Sequence, residues 1–349
     1  MTTHEYVRLP DPGDGLRLHL NENTAGCSPR VLAAMRAVSA QEAACYPDYT
    51  RLHEACAAHL GVPVEQVLVT NGLDEGIHGV AFGWLRRTED GRARTAIVVE
   101  PAFDMYAACA EAAGARIVQV PPGHDFAFPL DATLAAIGPS TGVVYLTSPN
   151  NPTGIPVPRE AVPAIAGRLP GEAVLFLDEA YVDFATSSFL ADLPHLPNVV
   201  IGRTFAKAHG LAAVRAGLVV AAPDLIARLK RIVPPYGVNA FAMAGILAAL
   251  DDGERLAWYR AEVARSREMI YAFCARQGLT CWRSEANFVL VRVGEGARAV
   301  VAGLAARGVF IRDRTTEPGC SGCVRITAGV ADHTAACLAA LEAVLCDVR

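Results

Sequence analysis

The sequence predicts an α/β protein in which a mostly parallel sheet lies between helices and is followed by a smaller α+β domain. Three observations lead there. From about residue 66, short apolar segments alternate with helical ones, the pattern of a parallel sheet wrapped by helices. The strand-like segments are continuously apolar, as strands buried on both faces are. After Pro234-Pro235 a long helical stretch gives way to short strands mixed with helices. At 349 residues the chain exceeds the usual size of one core, so more than one domain is expected. The expected division is an N-terminal arm over 1–27, a large domain over 28–233 and a small C-terminal domain over 234–349, joined by part of the arm.

Taken in order, Ser28-Pro29 is an N-cap and first-turn pair that should open a helix. Strands are expected over 67–70, 96–99, 116–120, 143–146, 174–177, 199–201 and 218–221, each a short β-branched or apolar run. Helices are expected over 74–85, where Asn71-Gly72 makes the turn, and over 103–113 and 225–233. The stretch 240–276 reads as helix with an interruption near Asp251-Asp252-Gly253. The tail reads as strand 287–293, helix 297–306, strands 309–312 and 324–327, and a last helix 331–345. Neither repeats nor low-complexity linkers are visible.

Composition narrows the function. With 52% hydrophobic and 19% charged residues the chain suits a compact fold. A net charge of -5 gives no electrostatic reason to expect nucleic acid or an anionic membrane as partner. Met1 to Asp14 is polar without an apolar signal core, and even 240–250 is too short to span a bilayer. A soluble, cytoplasmic protein is expected. Of its ten cysteines, Cys56, Cys109, Cys274 and Cys337 lie in alanine-rich helical stretches and read as small buried hydrophobes. Cys320-Ser321-Gly322-Cys323 has no second such pair and no nearby histidine pair; it reads as a turn entering a strand, and no metal is expected.

The most informative residues are the lysines. There are two, Lys207 and Lys230, among 31 basic residues. Arginine fills nearly every other cationic position, so a retained lysine points to a required amine; guanidinium cannot lose its proton to act as a nucleophile. Lys230 reads as part of an exposed helix face. Lys207, in Arg203-Thr204-Phe205-Ala206-Lys207-Ala208, has chemical company. Asp178 ends an apolar strand and heads Asp178-Glu179-Ala180-Tyr181, placing a carboxylate at the strand end where α/β proteins bind ligands. Ser148-Pro149-Asn150-Asn151-Pro152-Thr153-Gly154 follows another strand and forms a rigid loop presenting amides at the same edge. Asn71-Gly72-Leu73-Asp74 opens a helix whose free N–H groups make an anion site, and Arg215 lies nearby to pair a phosphate. One lysine, one strand-end carboxylate, amide and phenol donors and a phosphate cradle are the set that pyridoxal phosphate chemistry requires: amine for the Schiff base, carboxylate for the pyridine nitrogen, anchor for the phosphate.

These motifs resemble the fold-type I, class I/II aminotransferases along nearly the whole chain, from about Tyr6 to the last helix, and among them are most similar to histidinol-phosphate aminotransferases. The resemblance implies a seven-stranded, mostly parallel sheet between helices and a homodimer with shared active sites. It makes Lys207 the Schiff-base lysine, with Asp178 on the ring nitrogen and Tyr181 and Asn151 at the ring hydroxyl. Phe103, in Pro101-Ala102-Phe103-Asp104-Met105-Tyr106, would stack on the ring. Arg215, Thr204 and the amides of Leu73 and Asp74 would hold the phosphate, and Tyr46 would reach the partner subunit's phosphate site. Gly308-Val309-Phe310-Ile311-Arg312-Asp313 and Gly322-Cys323-Val324-Arg325-Ile326-Thr327 resemble the family's two arginine motifs. They imply that Arg325 and Arg312 bind the substrate's carboxylate or phosphate, with Tyr6, Asn23 and Tyr236 near the substrate.

The chain departs from the family pattern at Ala206, where serine usually donates to the cofactor phosphate, and at Ala213, where glycine is usual. The missing hydroxyl is worth roughly 1 kcal/mol. The expected reaction is a two-stage transamination between histidinol phosphate and 2-oxoglutarate, with glutamate as the product of the second stage. An aromatic amino acid aminotransferase and a threonine-phosphate decarboxylase on the same fold are the alternatives.

Overall fold

The computed structural model describes residues 11–88 and 90–348. The chain enters through a short strand, β1 (Leu16–Arg17), and reaches helix α1 (Pro29–Arg36). Ser28 Oγ accepts from the Val31 amide at 3.1 Å, the cap the sequence called for. Two helices with no counterpart in the sequence expectations follow. α2 (Ala40–Ala44) starts at a Ser39/Glu42 capping box, and α3 (Thr50–Leu60) ends at Gly61 in the left-handed conformation.

Seven strands build the main sheet: β2 (Val67–Asn71), β3 (Thr95–Val99), β4 (Arg116–Val120), β5 (Thr141–Thr147), β6 (Val174–Asp178), β7 (Val199–Thr204) and β8 (Ala216–Val220). Each coincides with an expected segment to within a few residues. The spatial order is β2-β8-β7-β6-β5-β3-β4, with β8 antiparallel to both neighbours and the other pairs parallel. α4 (Leu73–Trp84), α5 (Met105–Ala112), α6 (Leu130–Ala136) and α7 (Ala161–Arg168) lie between the strands in sequence, and α8 (Pro223–Leu229) follows the last of them. Alternate strand residues serve two separate cores. In β6, Val174 and Phe176 face one and Leu175 and Leu177 face the other, which is why the strand reads as continuously apolar.

The interruption after Pro234-Pro235 separates α9 (Ala240–Leu250) from α10 (Gly253–Gln277) at Asp251-Asp252. α9 returns to the main sheet: Ala242, Ile246 and Ala249 share a core with α1, α3 and the strands. The remaining strands are β9 (Thr280–Cys281), β10 (Phe288–Arg292), β11 (Val309–Phe310), β12 (Arg312–Asp313) and β13 (Cys323–Thr327). α11 (Ala297–Ala305) and α12 (Ala331–Val348) pack around them. The single strand expected over 309–312 is in fact two. β11 pairs with β1 of the arm, whereas β12 joins β13 in a four-stranded sheet ordered β12-β13-β10-β9. Cys320 and Cys323 are buried beside Trp282 and Leu290, and the Cys323 amide donates to Cys320 O at 2.9 Å in the turn that enters β13. Among the described residues no helix is long and apolar enough to cross a membrane.

Candidate active site

The parallel strands β2, β5, β6 and β7 end at one edge of the sheet, where α/β folds gather ligand-binding loops. A cavity of about 290 Å³ opens there, walled by that edge, by Leu20 to Glu22 of the arm and by β12 and β13. Leu73, Asp74, Phe103, Asn151, Asp178, Tyr181, Thr204, Lys207, Arg215, Arg312 and Arg325 all line it. Residues that span 253 positions of sequence are thus brought to one pocket by the strand order.

Asp178 closes β6 and is buried. Its Oδ2 accepts from the Tyr106 hydroxyl at 2.6 Å and its Oδ1 from the Ala180 amide at 2.8 Å. Burial raises its pKa to about 6 against the opposing pull of those hydrogen bonds. Tyr106 is itself wholly enclosed, stacked on Tyr145 at 5.0 Å and hydrogen-bonded to Thr147 at 2.8 Å. Burial, then the neighbouring Asp178 charge, push its phenol well above the usual value. The phenol is therefore a fixed donor to the carboxylate.

Lys207 follows β7 in the loop that Gly210 and Leu211 fold back. Its Nζ donates to Leu20 O at 3.1 Å and lies 5.9 Å from the centre of the Tyr181 ring. Tyr181 OH accepts from Asn21 Nδ2 at 3.0 Å. Asn21 is held in turn by the Thr327 hydroxyl and by Asn287, just before β10.

The opposite end of the cavity is the N-terminus of α4. Its cap residue, Gly72, offers no side-chain acceptor, so the first-turn amides remain available to an anion. Gly72 has φ +72, and a Cβ there would sit 2.5 Å from Arg215 Nη2. Gly217 lets β8 approach the helix start, since a Cβ there would sit 2.5 Å from the Leu73 amide nitrogen. Arg215 has φ 60, a conformation non-glycine residues rarely adopt, and its guanidinium bonds Ala212 O at 3.2 Å and Asp74 Oδ2 at 2.6 Å. Thr204 Oγ1 accepts from the Ala206 amide at 3.1 Å and donates to Ala216 O at 3.3 Å, so it braces the loop carrying Lys207.

At the small-sheet end, Arg312 and Arg325 face each other in register across β12 and β13. Arg325 is buried; Nη2 donates to His19 O at 2.7 Å and Nη1 to Asn151 Oδ1. Burial, then the nearby Arg314, lower its pKa. Like charges placed opposite each other in a sheet repel.

Three expected residues fall elsewhere. Asn23 does not line this cavity: its amide bonds Ala208 O at 2.8 Å and its oxygen takes the Ala25 amide. Asn21, two positions earlier, stands at the site instead. Tyr46 and Tyr236 stack on each other at 4.5 Å and are 81% and 55% exposed, away from the cavity. Tyr6 lies outside the described residues.

The donor set fits pyridoxal phosphate. Asp178 is a buried carboxylate whose hydrogen bonds come from neutral donors, suited to a protonated ring nitrogen, and the uncapped α4 amides with Arg215 suit a phosphate. Comparison with known proteins agrees: the profile of the family "Aminotransferase class I and II" matches residues 13–344. The chain belongs to this family. It is a pyridoxal-phosphate-dependent transaminase of fold type I. This aminotransferase is 37% identical over 340 residues to histidinol-phosphate aminotransferase 2 of Ralstonia nicotianae, covering 95% of this chain and 88% of that one. It is 36% identical to the histidinol-phosphate aminotransferase of Roseiflexus castenholzii, covering 94% and 89%. The crystal structure of the Sinorhizobium meliloti histidinol-phosphate aminotransferase with pyridoxal-5'-phosphate superposes with a TM-score of 0.87 at 30% identity, covering 96% and 92%.

Three residues of the aminotransferase site escape the sequence reading. Tyr106 stands in the quoted Pro101–Tyr106 motif, where Phe103 drew attention; the two rings meet edge-on at 5.8 Å. Asn21 carries no local sign that separates it from Asn23. Arg314 is 9% exposed and lines the cavity beside Arg312, which its spacing of two along a strand allows.

Proposed function

We propose that this aminotransferase moves the amino group of histidinol phosphate to 2-oxoglutarate, forming glutamate, by a two-stage ping-pong reaction. The observation that carries this reading is the in-register pair Arg312 and Arg325 at the end of the cavity beyond Lys207. An anionic group on the substrate offsets their repulsion, and a phosphate can engage both. The names of the relatives point to the same substrate.

The bound cofactor supplies an electron sink for the pair left at the amine-bearing carbon and stores the amino group between the two stages. The protein residues do the rest. Lys207 would take a proton from that carbon and then give one back on the far side of the nitrogen, as general base and then acid. Asp178, fixed by Tyr106 and Ala180, keeps a proton on the ring nitrogen. Tyr181 and Asn151 orient the ring hydroxyl, and Phe103 covers the ring face. Arg215, Thr204 and the amides of Leu73 and Asp74 anchor the cofactor phosphate. Arg325 and Arg312 fix the substrate anion.

Tyr46 and Tyr236, exposed and stacked, are assigned to the face of a homodimer, where Tyr46 serves the partner subunit's phosphate site. The enzyme is proposed to work in the cytoplasm. The proposed division remains 1–27, 28–233 and 234–349, with α9 packing back on the large domain.

The test is steady-state kinetics with 2-oxoglutarate and either histidinol phosphate or phenylalanine as donor. Parallel double-reciprocal lines and a kcat/KM at least about a hundredfold higher for histidinol phosphate are expected. A preference for phenylalanine would reassign the substrate.

A further inference from the structure

The ends of β6 and β7 present side chains to two faces. On the cavity face stand Asp178 and Thr204, the last residues of the two strands, with Tyr181 and Lys207 in the segments that follow. Period-two alternation turns their chain neighbours Glu179 and Arg203 the other way. That opposite face is the one where Leu177 and Ile201, two places earlier, share a core with Phe189 and Phe205. There the two side chains meet. Arg203 donates to Glu179 Oε2 from Nε at 3.1 Å and from Nη2 at 2.8 Å. The carboxylate also accepts from the Ser188 hydroxyl at 2.9 Å and from the Phe189 amide at 2.7 Å, and Arg203 Nη2 reaches Ser188 Oγ at 2.7 Å. The Glu179 side chain is 1% exposed and that of Arg203 18%.

The pair sits where backbone pairing between the two strands ends. The last opposed residues of β6 and β7 are Asp178 and Gly202, followed by one further bond from the Glu179 amide to Gly202 O at 2.8 Å. Beyond it the chain after β6 turns through Tyr181, while β7 runs on to Thr204 paired with β8. Past that last backbone bond, Arg203 and Glu179 join the two chains. A buried ion pair adds little net stability over apolar side chains of the same shape, but losing either partner leaves a charge stranded, so the two are held in one geometry. Glu179 adjoins Asp178 and shortly precedes Tyr181; Arg203 adjoins Thr204 and shortly precedes Lys207. A bond between them on the hidden face therefore fixes the spacing of the cavity residues on the other.

We propose that Arg203 and Glu179 are positioning residues for transamination: a staple beneath the site that sets Lys207 and Thr204 against Asp178 and Tyr181. The proposal rests on the assignment of Lys207 and Asp178 to the cofactor, and it is independent of which amine the enzyme takes. Neither residue touches substrate or cofactor. Their effect passes through the strand ends, where a misplacement of about 1 Å is enough to cost about 10²-fold in rate.

The experiment compares the wild type with Arg203→Met, Arg203→Lys and the double variant Arg203→Met/Glu179→Gln. The double variant strands no charge, so a folding defect in Arg203→Met does not decide the outcome. Val199→Ala, a cavity at the far end of β7, serves as a control for lost stability, with urea midpoints measured for all. Two quantities are read. One is the limiting rate, and the half-saturating donor concentration, for loss of the visible band of the lysine-bound cofactor, using whichever of histidinol phosphate and phenylalanine the wild type accepts. The other is the dissociation constant of pyridoxal phosphate, titrated into the cofactor-free proteins. Both methionine variants should lose about 10²-fold in limiting rate while half-saturation stays within about threefold, and should bind the cofactor at least about tenfold more weakly. Arg203→Lys should recover part of both losses, and Val199→Ala should stay near wild type. A folded double variant with wild-type rate and affinity, or losses that merely follow the urea midpoints across all variants, would overturn the proposal. A visible band that survives in Lys207→Arg would instead remove the assignment of Lys207, and the proposal with it.

Discussion

Asp178 stands in the fold at a cost that only the cofactor removes, and the size of that cost can be measured. Its pKa is raised from 3.8 to about 6, with burial as the largest cause. At 1.36 kcal/mol per unit the shift corresponds to about 3 kcal/mol of differential stability. The sign follows from the direction. A carboxyl whose folded pKa lies above its unfolded value favours folding when protonated, so its contribution is fully present below about pH 4 and is lost as pH rises through 6. In the cofactor-free protein, ionised Asp178 therefore costs about 1 kcal/mol near pH 4.5 and about 3 kcal/mol near pH 8. Asp178→Asn removes this pH-dependent cost, and Asn keeps an oxygen for the Ala180 amide. Urea unfolding of both cofactor-free proteins, at matched protomer concentration, should show the variant gaining about 2 kcal/mol on the wild type between pH 4.5 and pH 8. With cofactor bound, the cationic ring nitrogen compensates Asp178 in the wild type and that gain should disappear. A difference between the two cofactor-free proteins that does not change with pH would refute the reasoning.

Other consequences are as direct. Lys207→Arg keeps the charge but not the transferable proton, and transamination should fall by at least about 10³-fold in a steady-state assay. Tyr106→Phe removes a 2.6 Å donor that favours ionised Asp178; the Asp178 pKa should rise, and the acid limb of the pH–rate profile should move up by about one pH unit. Gly217→Ala would drive a methyl to 2.5 Å from the Leu73 amide nitrogen; cofactor titration should show affinity at least about tenfold weaker, because the first turn of α4 must shift. Tyr46→Phe should weaken cofactor affinity without changing the dimer fraction seen by sedimentation, since the side chain is 81% exposed on one subunit and assigned to its partner.

Much of this site is legible in the sequence because its chemistry constrains single positions. Lys207 stands out by the scarcity of lysine, and Asp178 by closing an apolar strand. The Asn150-Asn151 loop stands out by its flanking prolines. The main-sheet strands are legible because burial on both faces leaves unbroken apolar runs. What is not legible depends on pairing between distant segments. The 309–312 segment reads as one strand, yet it splits because its halves pair with partners more than three hundred residues apart, Leu16–Arg17 and Cys323–Thr327. The same register brings Arg314 to the cavity, and nothing local distinguishes it from a surface arginine. Asn21 and Asn23 differ only in which one the arm's path, fixed by Thr327 and Asn287, turns inward. α3 has a weakly marked start, with no side-chain cap bond at Tyr49, and so gives little warning of itself.

The most direct test of the central claim is single-turnover absorbance of the purified holoenzyme mixed with histidinol phosphate and no oxo acid. Rapid loss of the visible band of the lysine-bound cofactor, and its recovery on adding 2-oxoglutarate, is the predicted result. A band that stays unchanged with histidinol phosphate but bleaches with phenylalanine would contradict the substrate assignment.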